Sequence, residues 1–168
     1  MRDRDLETEA ALRAGAGELF ALLAARLQAS VGYDLLTVLA PDGGGARLIR
    51  CYSNRPDQFP LGQGDAVEDN PWFRHIVVDL EPVVANDDEA IRAWLPSFTN
   101  AKSLGYESLV NFPIVIAGEV VGLVNLMAGG NHFGEPKIEA LRSLAPLAAL
   151  ALAARARHLP TIRLPSDR

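Results

Sequence analysis

Apolar positions near the start of the chain repeat with helical spacing. Leu12, Leu19, Leu23 and Leu27 follow one another at seven, four and four residues, with Phe20 three before Leu23. Arg13, Glu18 and Arg26 fall elsewhere on the same surface, so the stripe predicts one amphipathic helix over residues 5–29, ended by Gly32. The pattern then changes. Residues 33–40 are rich in Leu, Val and Thr, Pro41-Asp42-Gly43-Gly44-Gly45 is a strong turn, and residues 46–54 form a second strand-like run, together a hairpin. Residues 55–69 carry Pro, Gly, Asp and Gln and predict a loop.

Two short helices follow. Pro71 suits the first turn of a helix over residues 71–79 with Asn70 as its cap. Residues 82–85 are a short apolar strand, and Asn86-Asp87-Asp88-Glu89 opens a second helix ended by Pro96. After a loop at residues 99–105, two apolar runs at residues 107–116 and 119–128 meet at Ala117-Gly118, a connection that suits a tight hairpin. Ile138, Leu141, Leu144 and Leu152 mark a closing helix over residues 135–157 that Pro146 kinks, and residues 158–168 form a tail. Hairpins in sequence with flanking helices predict an antiparallel α+β domain over residues 12–157, with residues 1–11 extending the first helix.

Composition narrows the function. The 168 residues carry a net charge of −5, which argues against a nucleic-acid surface and against docking on anionic membranes. The charged start is not a secretory signal, and the most apolar window, residues 144–154, is too short to span a bilayer, so a cytoplasmic location is expected. One cysteine, Cys51, can form neither an internal disulfide nor a four-cysteine zinc site, and reads as a small buried hydrophobe. His75, His132 and His158 have no metal-ligand spacing, so neither a metal nor another cofactor is expected. No Gly-x-Ser-x-Gly or His-Glu-x-x-His occurs, Gly43-Gly44-Gly45 lacks the Lys-Ser/Thr of a phosphate loop, and Asp87-Asp88-Glu89 is explained by helix capping.

Asn111 and Asn125 stand out as amides inside strands that are otherwise nearly all apolar, and a buried amide must be hydrogen-bonded. A regular two-residue turn pairs Ile116 with Glu119, which sets Asn111 opposite Val124 and Val110 opposite Asn125. The two amides then point to opposite faces, unless a bulge shifts the register.

The order of these pieces resembles the GAF domain, a sensory fold of many signalling proteins. The resemblance is carried by Glu107-Ser108-Leu109-Val110-Asn111-Phe112-Pro113-Ile114, by Gly118-Glu119-Val120-Val121-Gly122-Leu123-Val124-Asn125-Leu126, and by Phe133, Glu135, Leu141 and Leu144-Ala145 of the closing helix. Asn70-Pro71-Trp72-Phe73-Arg74 with Glu81-Pro82-Val83-Val84-Ala85-Asn86 is similar to a bacterial stand-alone subgroup. The resemblance implies a central antiparallel sheet of about six strands. The terminal helices lie on one face, and short helices and loops cover a ligand pocket on the other. It also implies dimerisation through the terminal helices. Residues 145–154, apolar almost all round, agree with a homodimer seam, although Ala is also simply a good helix former.

Members of the family that reduce free methionine sulfoxide need several cysteines, and bilin-binding members need a cysteine beside a histidine; this chain offers neither. The Asn-Lys-Phe-Asp-Glu signature of cyclic-nucleotide phosphodiesterase GAF domains is absent as well. The expectation is therefore a non-enzymatic module that senses a small organic ligand and signals to a separate effector. A ligand-free scaffold for protein interaction or dimerisation is the alternative, and an enzyme with an unrecognised acid–base pair a third. Trp72, Phe73 and Trp94 fall in the region that lids the family's pocket, Arg74 suits an anion, Tyr52 and Tyr106 are polar-tipped, and Asn111 and Asn125 supply amides. Asn111 is favoured over Asn125 because it lies near Tyr106 and the preceding loop.

Overall fold

The computed structural model describes residues 2–96, 98, 102–156 and 162. A six-stranded antiparallel sheet runs through it in the order β3-β2-β1-β6-β5-β4. Its strands are β1 (Leu35–Pro41), β2 (Arg47–Ser53), β3 (Gly64–Ala66), β4 (Val83–Ala85), β5 (Ser108–Ile116) and β6 (Glu119–Ala128). The helices are α1 (Arg2–Ala14), α2 (Ala16–Ser30), α3 (Pro71–Val77), α4 (Asp88–Trp94) and α5 (Glu135–Arg155). This is the expected α+β architecture. No helix of the described residues is long and apolar enough to cross a membrane.

Period-2 alternation along the strands sorts apolar side chains into two cores. Leu36, Val38, Val110, Phe112, Val124 and Leu126 face Leu19, Leu23, Leu27, Leu141 and Leu152 of α2 and α5. Leu35, Leu39, Leu109 and Leu123 face the other way, toward Phe73, Ile76 and Ile91 of α3 and α4. The sheet is thus buried on both faces, which explains why β1 shows no polar alternation.

The single first helix expected over residues 5–29 is two. Gly15 takes φ 118°, a conformation favouring glycine, while its N–H still bonds to the Ala11 carbonyl and its own carbonyl accepts from Leu19. The chain reverses there. Arg26 reaches the Arg4 carbonyl at 2.7 Å and Glu7 at 3.1 Å. In a continuous helix the 22 residues from Arg4 to Arg26 would span about 33 Å.

The stretch expected as loop over residues 55–69 contains edge strand β3. Its Gly64 pairs with Ile49. A Cβ at Gly64 would lie 1.6 Å from the Leu48 carbonyl oxygen, so only glycine permits this approach. The closing helix is continuous through Pro146. Of the expected tail, Ile162 is described: it is buried in the α3/α4-side core, and its N–H bonds to the Val120 carbonyl at 3.0 Å.

Asp87 caps α4 through Ala90 N–H. Asn86 instead makes a paired bond with Phe133, donating from Nδ2 to its carbonyl and accepting its N–H at Oδ1, both at 2.8 Å. This fastens the β4–α4 junction to the loop before α5.

Candidate functional site

Two β-bulges decide which side chains share a face. The first lies in β2: Arg50 pairs with Leu39 but Tyr52 pairs with Val38, so Cys51 is the extra residue. The second lies in β6: Val120 pairs with Val115 and Gly122 with Ile114, so Val121 is extra. The tight turn still pairs Ile116 with Glu119, as expected, but beyond the bulge Asn111 stands opposite Asn125. The expectation that the two amides face opposite sides under a regular register is therefore corrected. Gly122 makes this bulge possible, because a Cβ there would meet the Leu39 carbonyl oxygen at 2.7 Å and a Leu152 methyl at 2.6 Å.

On the face opposite α2 and α5, the strands floor a cavity of about 490 Å³, a size that suits a small organic molecule. Leu35, Leu39, Leu123 and Met127 supply apolar floor, and Trp72, Phe73, Phe59 and Phe98 supply aromatic wall. A polar chain crosses the floor. Trp72 Nε1 donates to Asn111 Oδ1 at 2.9 Å, Asn111 Nδ2 to Asn125 Oδ1 at 2.9 Å, and Asn125 Nδ2 to Thr37 Oγ1 at 3.5 Å. These bonds satisfy part of the polar capacity of Asn111 and Thr37, both buried.

Helix α3 sets the Trp72 end of this chain. Pro71 starts it, Asn70 Oδ1 accepts the Phe73 N–H at 2.9 Å, and the Trp72 and Phe73 rings pack edge-on at 4.6 Å between centroids. Arg50, on β2, closes the opposite side. Its guanidinium donates to the Pro60 carbonyl at 3.0 Å, lies 5.5 Å over the Phe59 ring, and keeps Nε buried without a partner. Burial pushes its pKa down and Asp65 partly offsets this.

The structure brings Trp72, Phe73, Asn111 and Asn125 together at the cavity. The other four residues picked from the sequence lie elsewhere. Tyr52 is turned by the Cys51 bulge to the α2 side, where its ring stacks on Phe20 at 5.6 Å. Arg74 chelates Asp69 with two bonds of 2.5 Å. Trp94 packs on His75 at 5.0 Å. Tyr106 is buried behind Phe59, 6.5 Å between rings. Cys51 faces the helix side; burial pushes its thiol up to about 11, and Sγ lies 3.2 Å from the Val38 carbonyl.

Arg50, Thr37 and Phe59 were not singled out from the sequence. Arg50 sits two residues from Tyr52, and in an unbulged strand the two would share a face. The available signal was a cationic residue in the middle of the strand, between Ile49 and Cys51. Among the described residues no group of three or more His, Cys, Asp and Glu is placed to hold a metal ion.

No curated protein matches this sequence. Many solved structures share the fold. The GAF domain of a phosphoenolpyruvate-protein phosphotransferase from Coxiella burnetii superposes with a TM-score of 0.64 at 20% identity, over 90% of this chain and 96% of that one. A domain of a two-component sensor histidine kinase from Sinorhizobium meliloti gives 0.62 at 17%, over 83% and 92%. Residues 122 to 287 of a methyl-accepting chemotaxis protein give 0.66 at 19%, over 89% and 96%. GAF domains occur in sensor and signalling proteins of this kind. Residues 15–153 also match the GAF domain sequence family, so the chain belongs to the GAF domain family.

Proposed function

We propose that this chain is a sensory module that binds a small organic molecule in the cavity over β1, β5 and β6. The observation that supports this most is the polar chain from Trp72 through Asn111 and Asn125 to Thr37 on the floor of an otherwise apolar cavity. Purely structural packing is better served by apolar residues there, since each buried amide needs its partners. Strand β6 links cavity to helices: Asn125 and Met127 face the cavity, and Val124 and Leu126 face α2 and α5. Occupancy would reach a separate effector through those helices.

The module acts as a cytoplasmic homodimer in this reading. Leu150 is exposed on α5 and Leu6 and Leu12 on α1, apolar surface that a second copy would cover. Native mass spectrometry of the purified protein tests both parts at once. A dimer with a co-purified small molecule is expected, and the molecule is lost from Asn111→Ala. A bare monomer, with no organic metabolite raising the Tm of the wild type, would sink the reading in favour of a ligand-free scaffold.

A further inference from the structure

The polar chain on the cavity floor has a fixed direction. An indole N–H can only donate, so the Asn111 atom facing Trp72 is its oxygen. The Asn111 NH2 must then face Asn125, whose oxygen accepts it, and the Asn125 NH2 faces Thr37. The Thr37 hydroxyl therefore receives a bond, and its own proton has no acceptor among the described residues.

Arg50 is close by on the same face. It pairs with Leu39, two residues from Thr37 along β1, a step of about 7 Å. Of the five N–H groups of its guanidinium, one bonds to the Pro60 carbonyl, and no carboxylate is in ion-pair contact with it among the described residues. Its Nε is buried without a partner and away from the cavity, so the terminal N–H groups are the ones a ligand would meet. Donors without acceptors thus gather at one end of the cavity. Asp65 and Glu68 also line it, but they are exposed, so water screens them while Arg50 is half-buried.

We propose that the cavity takes a small organic carboxylate. Its carboxylate would be held by Arg50 and the Thr37 hydroxyl, and its apolar body would lie against Leu123, Met127 and Trp72. A guanidinium fork matches a carboxylate in shape and charge, whereas a neutral amide of the same size offers one acceptor and no charge. This inference rests on the cavity being a ligand site, as proposed above.

Isothermal titration of the full chain at pH 7 with phenylacetate, 1-naphthoate and octanoate, each against its primary amide, tests it. Each carboxylate that binds is expected to do so at least tenfold more tightly than its amide. Arg50→Gln should erase that preference, and Arg50→Lys, which keeps charge but loses the fork, should retain part of it. Thr37→Val should weaken carboxylate binding severalfold, with far-UV circular dichroism confirming the fold of each variant. Asp65→Asn, an exposed change, should tighten carboxylate binding by removing a like charge. Amides binding as well as the acids, or Asp65→Asn weakening the acids, overturns the carboxylate assignment and leaves the cavity as a site for another class. If neither set binds, this inference falls, and the sensory reading stands or falls separately on the native mass spectrometry and Tm screen above.

Discussion

Asn111 and Asn125 stand directly opposite one another on β5 and β6, with amide nitrogen and oxygen 2.9 Å apart. The pair is held at one end by the Trp72 indole, which ties lid helix α3 to the sheet. Trp72→Phe keeps an aromatic ring, though a smaller one, and leaves the Asn111 oxygen without its donor. It should cost about 1–2 kcal/mol in urea unfolding. In a cycle with Asn111→Leu, the double variant should lose less than the sum of the singles, because the two changes remove one bond. Strict additivity would mean that the bond contributes nothing.

Gly122 lies where β6 bulges against β1 and α5. Gly122→Ala should destabilise the domain by roughly 1–3 kcal/mol, the usual range for overpacking. Adding Leu152→Ala removes one of the two clashes but not the Leu39 carbonyl, and opens a cavity of its own. The double variant should therefore stay well below wild type in Tm, and full recovery would show that the side chain alone sets the limit.

Gly15 joins α1 to α2 at a φ that other residues rarely adopt. Gly15→Ala should cost on the order of 1–3 kcal/mol or straighten the two helices into one. Hydrogen exchange distinguishes this local effect: amides of α1 should lose protection while those of β5 and β6 keep theirs. Arg26→Ala should loosen α1 in the same way and by less, because it removes a tether and leaves the turn intact.

Alkaline titration should destabilise the fold. Burial pushes the Cys51 thiol from 9.0 to about 11 and the Tyr33 hydroxyl, which donates to the Ala24 carbonyl, from 10.0 to about 12. Between those limits the unfolded chain gives up protons that the folded chain holds. Stability is therefore full below about pH 9 and falls as pH rises toward 12. Cys51→Ala should flatten the first part of that fall. In the same setting, native Cys51 should react with iodoacetamide far more slowly at pH 8 than the urea-unfolded chain.

Much of the fold is legible in the residues. Asn70-Pro71 marks the start of α3, Ala117-Gly118 marks the β5–β6 turn, and the Leu19–Leu23–Leu27 stripe marks the buried side of α2. What stayed hidden follows from packing between distant segments. Gly64 is in a strand only because Leu48 approaches its backbone, and its Gly-Asp-Ala run has no strand propensity of its own. Gly15 in a helical stripe could as well have been a tolerated interruption. The site was half visible: Trp72, Phe73, Asn111 and Asn125 are unusual residues in their segments and meet at the cavity. Tyr52 has the polar tip that a pocket would use, but the extra residue Cys51 turns it to the helix side and leaves Arg50 to line the cavity.

That extra residue has a consequence for how the site can change. Cys51 and Val121 act as phase shifters, each resetting the alternation of every side chain beyond it. Deleting Val121 would close the bulge and leave residues 122–128 opposite the same partners on β5, with Asn125 still facing Asn111. Deleting Cys51 would likewise leave Arg50 opposite Leu39 and Tyr52 opposite Val38. In this protein each bulge is a residue of slack: a one-residue deletion there is absorbed with the cavity-facing groups kept, where the same loss from a regular strand would turn them to the other face.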